Sequence, residues 1–356
     1  MTTPFSSHGL LLLVGLCCLL LITKTKHEKL YEDPSIDPFQ CRKVALTICN
    51  VSITLFKKMA QLSGNGNILF SPIRVIAAIS MLSLGSNGNL SKHILETLRF
   101  NKTGLPEAEI HKCFWYLLHS IHQTEEPSSL QTGSSVFIHQ DLTSVDKFVK
   151  GVKDLYHSDM ISINFTDSSQ AKTQINNYVM EKSQKEIVNI VKNLESDTFL
   201  AVVNYIIWNG NFATYFIIPD PGKMQRVEQS LTYPHFRRMR RQLLTRLVDL
   251  EIPELSLSET HDLESMMSLL GITYVFNSGT NSSDMNDTLQ KSFKVVSKAV
   301  LTIDEKGSKP STNSCFKKLG STDMGRMQLN RPFLIFIQDH TNDVPLFLGR
   351  VVNPQN

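Results

Sequence analysis

The sequence predicts a single α+β domain. Two observations carry this prediction: apolar residues with helical spacing dominate the first half of the chain, and short runs of branched and aromatic residues dominate the second half. No repeat or low-complexity linker divides the 356 residues, of which 41% are hydrophobic and 19% charged. A formal net charge of +3 is too small to indicate a nucleic-acid partner.

Helices are predicted where apolar residues recur every three or four positions. In residues 51–62, Ile53 and Phe56 belong to such an apolar face. A buried helix follows, with Ser71 as its N-cap and Pro72 in its first turn. Further helices are predicted over residues 92–98, 107–122, 144–156 and 169–185.

Strands are predicted where short apolar runs are bounded by turn residues. The C-terminal runs 329–337 and 345–354, joined by the polar residues 339–343, predict a buried β-hairpin. Other strands are predicted over residues 67–70, 134–138, 199–208, 213–218, 248–252 and 295–303.

An apolar run of 13 residues, 10–22, lies near the N-terminus. It is too short to span a bilayer and is typical of a secretory signal, which we place at residues 1–23. The preceding segment carries only His8, and no A-x-A-like cleavage site follows, so an uncleaved anchor is the alternative. Residues 24–45 are predicted as an extension and 46–356 as the domain of a secreted, extracellular monomer with no membrane span in its mature form.

Six sequons with the pattern Asn-x-Ser/Thr support export, because such acceptors are used in secreted glycoproteins. They are Asn50, Asn89, Asn101, Asn164, Asn281 and Asn286.

The cysteines of the mature chain fit neither a zinc template nor a dense disulfide framework. A bridge between Cys41 and Cys49 and a set of unpaired thiols are both compatible with their spacing.

Several ordered segments carry a resemblance to one family. They are Asn67-Ile-Leu-Phe-Ser-Pro72, Met81-Leu-Ser-Leu-Gly85, Val203-Asn-Tyr-Ile206, Leu269-Leu-Gly-Ile-Thr273, Lys298-Ala-Val-Leu-Thr-Ile-Asp-Glu-Lys-Gly307 and the C-terminal hairpin. Together they resemble the serpins, and within them the alpha-1-antitrypsin-like group, clade A. The resemblance implies a serpin fold: a helix-rich N-terminal half, a central mixed sheet A, smaller sheets B and C and an exposed reactive loop, here at about residues 305–329.

The chain departs from the family at Gly210 and Asn211. In the family several strands separate segments like those on either side of this junction, and roughly fifty residues, enough for four strands, are missing here. Sheets B and C should therefore be reduced, with unpaired edges and exposed core surface.

The resemblance implies an inhibitor that acts by strand insertion. A serine protease cleaves the reactive loop, and the loop then enters the middle of the main sheet as a new strand. The hinge that must enter first comprises Glu305, Gly307, Ser308, Lys309 and Pro310. Pro310 lacks an N–H group, and Asn313 has poor strand propensity, so we expect weak or lost inhibition.

Alignment with the family without gaps places the reactive bond at Ser321–Thr322, which offers no clear specificity anchor. The resemblance also implies a polar, shutter-like cluster beneath the opening sheet: Ser71, Arg74, Asn204 and Ser297. Arg74 stands where a serine is usual and Ser297 where a histidine is usual. A buried arginine without a partner costs several kcal/mol, so Arg74 should contact an acid or point to solvent.

A basic cluster lies before the strand predicted at 248–252. It consists of Arg237, Arg238, Arg240, Arg241 and Arg246. If residues 236–247 are helical, Arg237 and Arg241 share one face, with Arg238 near it, and could bind heparin or another glycosaminoglycan by charge.

No catalytic, metal-binding or cofactor motif is present: the chain lacks H-E-x-x-H, C-x-x-C and G-x-S-x-G. We therefore expect no enzyme activity, metal or cofactor. Three functions remain: a serpin with weak or lost inhibition, an active inhibitor of extracellular serine proteases, and a non-inhibitory carrier or glycosaminoglycan-binding protein.

Overall fold

The computed structural model describes eleven segments of the chain. They are residues 12–15, 36–86, 88–122, 130–141, 146–208, 213–243, 248–251, 254–273, 293–303, 325–339 and 342–353. The predicted junction at 210–211 lies outside them.

Nine α-helices occur in the described segments, seven of them before residue 231. Their bounds are α1 Pro38–Leu62, α2 Pro72–Leu84, α3 Gly88–Thr97, α4 Glu107–His122, α5 Asp146–Tyr156, α6 Ser168–Lys182, α7 Met224–Ser230, α8 Tyr233–Arg241 and α9 Leu263–Leu270. Helix α1 begins well before the predicted residue 51, because its N-terminal part already carries core residues such as Val44 and Ala45.

A five-stranded sheet, called here the main sheet, contains the strands from both halves of the chain. Its strands are β3 Leu130–His139, β4 Asp159–Ile163, β5 Leu200–Trp208, β8 Leu255–Asp262 and β9 Phe293–Ile303, in the order β4-β3-β5-β9-β8. Pairing is parallel for β3–β4 and β5–β9 and antiparallel for β3–β5 and β8–β9.

A second sheet contains the C-terminal hairpin. Its strands are β1 Leu12–Gly15, β2 Ile68–Phe70, β6 Ala213–Ile218, β11 Phe333–Gln338 and β12 Pro345–Val351, in the order β1-β6-β11-β12-β2. The hairpin is central and buried, as its composition predicts, because β6 and β2 pair with its two outer edges.

The loss of strands at the junction was expected to leave unpaired sheet edges, and β6 is the strand that follows this junction. Instead, β1 pairs with it in antiparallel fashion, from Leu12 opposite Ile218 to Gly15 opposite Tyr215. Strand β1 lies within the segment predicted as a signal peptide, so the same residues are predicted to be removed on export.

A third sheet has two parallel strands, β7 Val248–Glu251 and β10 Gly325–Gln328. The predicted α+β class is confirmed, with two five-stranded sheets and one two-stranded sheet among the described residues.

Buried side chains form clusters on both faces of the main sheet. On one face, Val202 and Ile206 of β5 join a cluster with α1, α2 and the second sheet. On the other face, Val203 and Tyr205 join a cluster with α6. Helix α2 is buried from Pro72 to Ser83, as predicted, because it lies between the two sheets.

A disulfide links α1 to α4 through Cys41 and Cys113, whose Cα atoms lie 4.8 Å apart. This pairing corrects both sequence expectations for Cys41, since spacing along one helix could not reveal a neighbour 72 residues away. Cys49 is a free, buried cysteine. Burial raises the pKa of its thiol well above the ordinary value, so the thiol stays protonated.

A buried ion pair secures the outer end of the second sheet. Arg350 of β12 donates to Glu228 of α7 at 3.0 Å, and both side chains are buried. The same guanidinium donates to Ser63 and to the carbonyls of Gly64 and Gly66. The turn after α1 is therefore joined to α7 and β12.

Candidate functional site in the main sheet

The candidate site is the boundary between β5 and β9, which we call the seam. The two strands are parallel neighbours in the middle of the main sheet, with nine residue pairs from Leu200–Phe293 to Trp208–Leu301. A strand that entered the middle of this sheet would have to replace the hydrogen bonds of this ladder. The seam is therefore closed along the whole of β5.

A row of polar residues crosses the seam at one register position. Asn204 of β5 lies opposite Ser134 of β3 on one side and Ser297 of β9 on the other, and Ser297 lies opposite His261 of β8. Ser158, just before β4, extends the row through a 2.6 Å hydrogen bond from its Oγ to the Oγ of Ser134. Four of the five strands, and the residue before β4, thus contribute to one polar row.

The polar row lies on the face of the sheet that packs against α2. Asn204 lies between Val202 and Ile206, which belong to the cluster on that face, and strand side chains alternate between faces. A polar row in an otherwise apolar interface weakens the packing there, because buried polar groups need hydrogen-bond partners.

Ser71 is the N-cap of α2, as predicted, although its side chain makes no capping hydrogen bond. Ser71 Oγ and Asn204 Nδ2 are both buried without a protein hydrogen-bond partner among the described residues. The structure therefore places two members of the predicted shutter-like cluster, Asn204 and Ser297, opposite each other across the seam, and it buries Ser71 at the start of α2.

Arg74 was expected to contact an acid or to point to solvent, and the structure shows that it does not point to solvent. Its side chain is buried, with 1% of the residue exposed. Burial lowers the pKa of its guanidinium to about 10, and the nearby Tyr205 partly opposes this effect. Burial lowers the pKa of His157, and the charges of His119 and Arg74 lower it further.

His261, like Ser134 and Ser158, is a member of the row that the sequence did not identify. Its Nε2 lies 2.6 Å from the carbonyl oxygen of Leu69 in β2, so it connects the main sheet to the second sheet. The signal that would have found it is the register with Ser297, which depends on strand pairing and is not visible in the local pattern of β8.

The hinge and the reactive bond lie outside the described residues. This holds for Glu305, Gly307, Ser308, Lys309, Pro310 and Asn313, and for Ser321 and Thr322. Their assignment stays a prediction, as does the loop as a whole, apart from residues 325–328 that form β10.

The basic cluster lies mainly on α8, which covers 233–241 rather than the predicted 236–247 because Thr232 caps its start. Arg238 and Arg241 are exposed and Arg237 is half-buried. Arg246 lies outside the described residues.

Arg240 faces the protein rather than a polyanion. Its Nη1 lies 2.8 Å from Asp343 Oδ1 and also donates to Gln338 at 2.9 Å. Asp343 accepts a second hydrogen bond from Arg42 at 2.7 Å. Arg240 therefore holds α8 to the turn of the C-terminal hairpin, and the free basic face is smaller than the sequence indicated.

The described sequons differ in accessibility. Asn164 is exposed, and its Oδ1 accepts hydrogen bonds from the backbone and hydroxyl of Thr166. Asn50 lies within α1 and donates to Leu46, while Ser52 of the same sequon is fully buried. Asn89 and Asn101 are exposed, and Asn281 and Asn286 lie outside the described residues.

Within the described segments, no group of three or more His, Cys, Asp or Glu side chains is arranged to hold a metal ion. The same segments contain no helix that is both long and apolar enough to cross a membrane.

Comparison with known proteins identifies the family. The model of the family described as "Serpin (serine protease inhibitor)" matches residues 47–216 and 208–354. The two matched blocks meet around the predicted junction at Gly210–Asn211.

The chain is 85% identical to alpha-1-antitrypsin 1-6 of Mus musculus over 411 aligned positions that cover all of both proteins. Because this chain has 356 residues, 55 of those positions have no counterpart in it, in agreement with the predicted internal deletion. It is also 34% identical to the alpha-1-antitrypsin-related protein of Homo sapiens, with 99% of each covered.

The fold resembles that of human glycosylated kallistatin, with a TM-score of 0.77, 26% identity and coverage of 88% of this chain and 99% of that one. Human thyroxine-binding globulin, in a complex with its hormone, gives a TM-score of 0.76 at 25% identity, with 88% and 99% covered. By its sequence and its fold, the chain belongs to the serpin family.

Proposed function

We propose that this protein is an exported, alpha-1-antitrypsin-like serpin that serine proteases cleave but that traps them weakly or not at all. The observation that carries the proposal is the hinge composition, which includes Lys309, Pro310 and Asn313. These residues would have to enter the sheet between β5 and β9, where the seam is closed. An inserted hinge must supply N–H groups to a ladder of nine residue pairs, and Pro310 has none. One unmet backbone partner costs about 1–3 kcal/mol in the step that must be faster than release of the protease.

A gel assay with trypsin and elastase tests this proposal. We expect the loop to be cut without a covalent complex that survives denaturation, and we expect cleavage to leave the melting temperature nearly unchanged. A denaturant-stable complex formed by the unmodified chain would refute the proposal and favour the active inhibitor.

A hinge variant tests the cause. Replacing Lys309, Pro310 and Asn313 by alanine should produce complex, or a rise in melting temperature after cleavage, because small residues enter a sheet readily. Ser311→Ala is the matched control within the same loop and should change neither readout. If the triple variant behaves like the control, the hinge is not the obstacle.

We propose, as a second activity, weak binding of a sulfated glycosaminoglycan on α8. The supporting observation is that Arg237, Arg238 and Arg241 lie at i, i+1 and i+4, and two of them are exposed. A variant with these three changed to alanine should elute from heparin at lower salt than the parent. Elution of the parent below physiological salt would refute glycosaminoglycan binding on α8.

Among the described residues, the cavity nearest to a ligand site does not favour a carrier function. A cavity between α1 and α7 has a volume of about 250 Å³ and is lined by polar residues such as Lys57, Gln61 and Gln225. Hormone-sized ligands usually occupy larger, mostly apolar pockets.

We propose export through the N-terminal segment, with Asn164 as the best-presented glycan acceptor. The apolar run 10–22 and the exposed Asn164–Thr166 turn support this. Expression in secreting cells should place the protein in the medium, and Asn164→Gln should remove one glycan mass. Retention of all protein inside the cells would contradict the proposal.

A further inference from the structure

The side chain of His261 connects two sheets. It belongs to β8 of the main sheet, and its Nε2 lies 2.6 Å from the carbonyl oxygen of Leu69 in β2. Because a carbonyl can only accept, Nε2 must carry a proton in this contact. Strand β2 is an edge strand of the second sheet, so within the described residues one of its edges has no neighbouring strand to satisfy its backbone groups.

The position of His261 places this contact beside the seam. His261 lies opposite Ser297, and Ser297 lies opposite Asn204 across the boundary between β9 and β5. Strands β8 and β9 are joined by eight residue pairs, so they move as one unit. The imidazole therefore fixes the β8–β9 side of the seam to the second sheet.

The surroundings of His261 offer little support for a positive charge. The acid on its face of β8 is Glu259, two residues away, and burial raises the pKa of that carboxyl. Asp262, on the opposite face, is paired with Lys294, and Lys298 of β9 lies opposite Thr260 on that face as well.

The other packed elements do not supply an acid either. Strand β2, Ile68–Phe70, has no titratable side chain, and α2 contributes only the cation of Arg74. Helix α9 carries Glu264 at its exposed start. A second proton on the ring therefore places a cation in a largely buried site.

We propose that His261 is an acid-sensitive latch that holds the β8–β9 side of the seam against the second sheet and releases it when the ring is protonated. Burial lowers the pKa of His261, and the bond to Leu69 only partly opposes this effect. Since the pKa in the folded state is below the ordinary value of about 6.5, the latch is fully effective above that pH and is lost as the pH falls through the folded-state pKa. The inference does not require the protein to be an inhibitor.

Amide hydrogen exchange of the full chain at about pH 8 and about pH 5, on either side of the ordinary imidazole pKa, tests the latch. After correction for intrinsic exchange rates, protection of β8 and β9 should fall in acid. The expected fall is about tenfold for each unit by which the folded-state pKa of His261 lies below the ordinary imidazole pKa. Helix α6, which has no histidine, should keep its protection. A loss spread evenly over all elements would mean global acid unfolding and would overturn the proposal.

Two variants separate titration from packing. His261→Gln keeps an N–H donor that cannot titrate, so β8 and β9 should stay protected at both pH values. His261→Phe keeps the volume without the donor and should lower protection at both. His235→Gln, on the exposed side of α8, is the matched control and should behave as the parent. If His261→Phe does not fold, His261→Gln decides alone: parental pH dependence in that variant would refute the latch.

Discussion

Removing the disulfide between Cys41 and Cys113 should strongly destabilise this protein. The two cysteines tie α1 to α4 and are 72 residues apart in sequence. In the chain-entropy description, a cross-link that closes a loop of this length lowers the entropy of the unfolded chain enough to contribute about 4.4 kcal/mol at room temperature. We therefore expect the Cys41→Ala/Cys113→Ala variant to lose about 4 kcal/mol of unfolding free energy, a large part of the stability of an ordinary domain.

Urea unfolding followed by circular dichroism, without reductant, measures this loss. Cys49→Ala is the matched control, because it removes a buried sulfur atom from α1 without removing a cross-link. The control should lose much less than the double variant, and adding reductant to the parent should reproduce the double variant. A loss below about 1 kcal/mol would refute the entropic reasoning. Peptide mapping that found Cys41 joined to Cys49 would refute the pairing itself.

Three further predictions concern the edges and ion pairs of the fold. Arg350→Ala should cost about 3–5 kcal/mol in urea unfolding, because it leaves Glu228 buried without its partner, whereas a cost under about 1 kcal/mol would contradict this. Burial alone would raise the pKa of Asp343, but hydrogen bonds from Arg240 and Arg42 lower it. The stability that this carboxylate contributes is therefore present above about pH 3.9 and is lost as the pH falls through the lowered folded-state pKa. Asp343→Asn should make unfolding free energy less dependent on pH in this acid range, and an unchanged dependence would contradict the assignment. Deleting residues 1–23, which the proposed export also removes, should uncover the β6 edge and cause self-association on size-exclusion chromatography, in contrast to the monomer expected from the sequence; a strictly monomeric product would show that β1 is not needed there.

The pattern of neighbouring residues in the sequence was sufficient to predict much of the fold. The apolar periodicity of residues 51–62 and the Ser71–Pro72 start signal led to α1 and α2, and the paired apolar runs at the C-terminus led to β11 and β12. These elements are identifiable because the periods of a helix and a strand are expressed by neighbouring residues. Boundaries were less accurate, as at the start of α1, since burial against distant elements extends a helix beyond its clearest local pattern.

The candidate site was only partly predictable. Ser71, Asn204 and Ser297 were found through the resemblance, and the structure places Asn204 and Ser297 opposite each other. The role of Arg240 was misjudged, because its partner Asp343 is 103 residues away. Nothing in the sequence around Arg240 distinguishes it from the exposed arginines beside it.

The order of amino acids alone determined the family, the helix-rich start, the buried hairpin and the composition of the hinge, because each is expressed in contiguous residues. Tertiary structure decided the Cys41–Cys113 bond, the pairing of β1 with the edge of β6 and the contact between His261 and the carbonyl of Leu69. The physical reason is the same in each case: these contacts join groups far apart in the chain, and only close packing of the folded sheets and helices determines which distant atoms become neighbours.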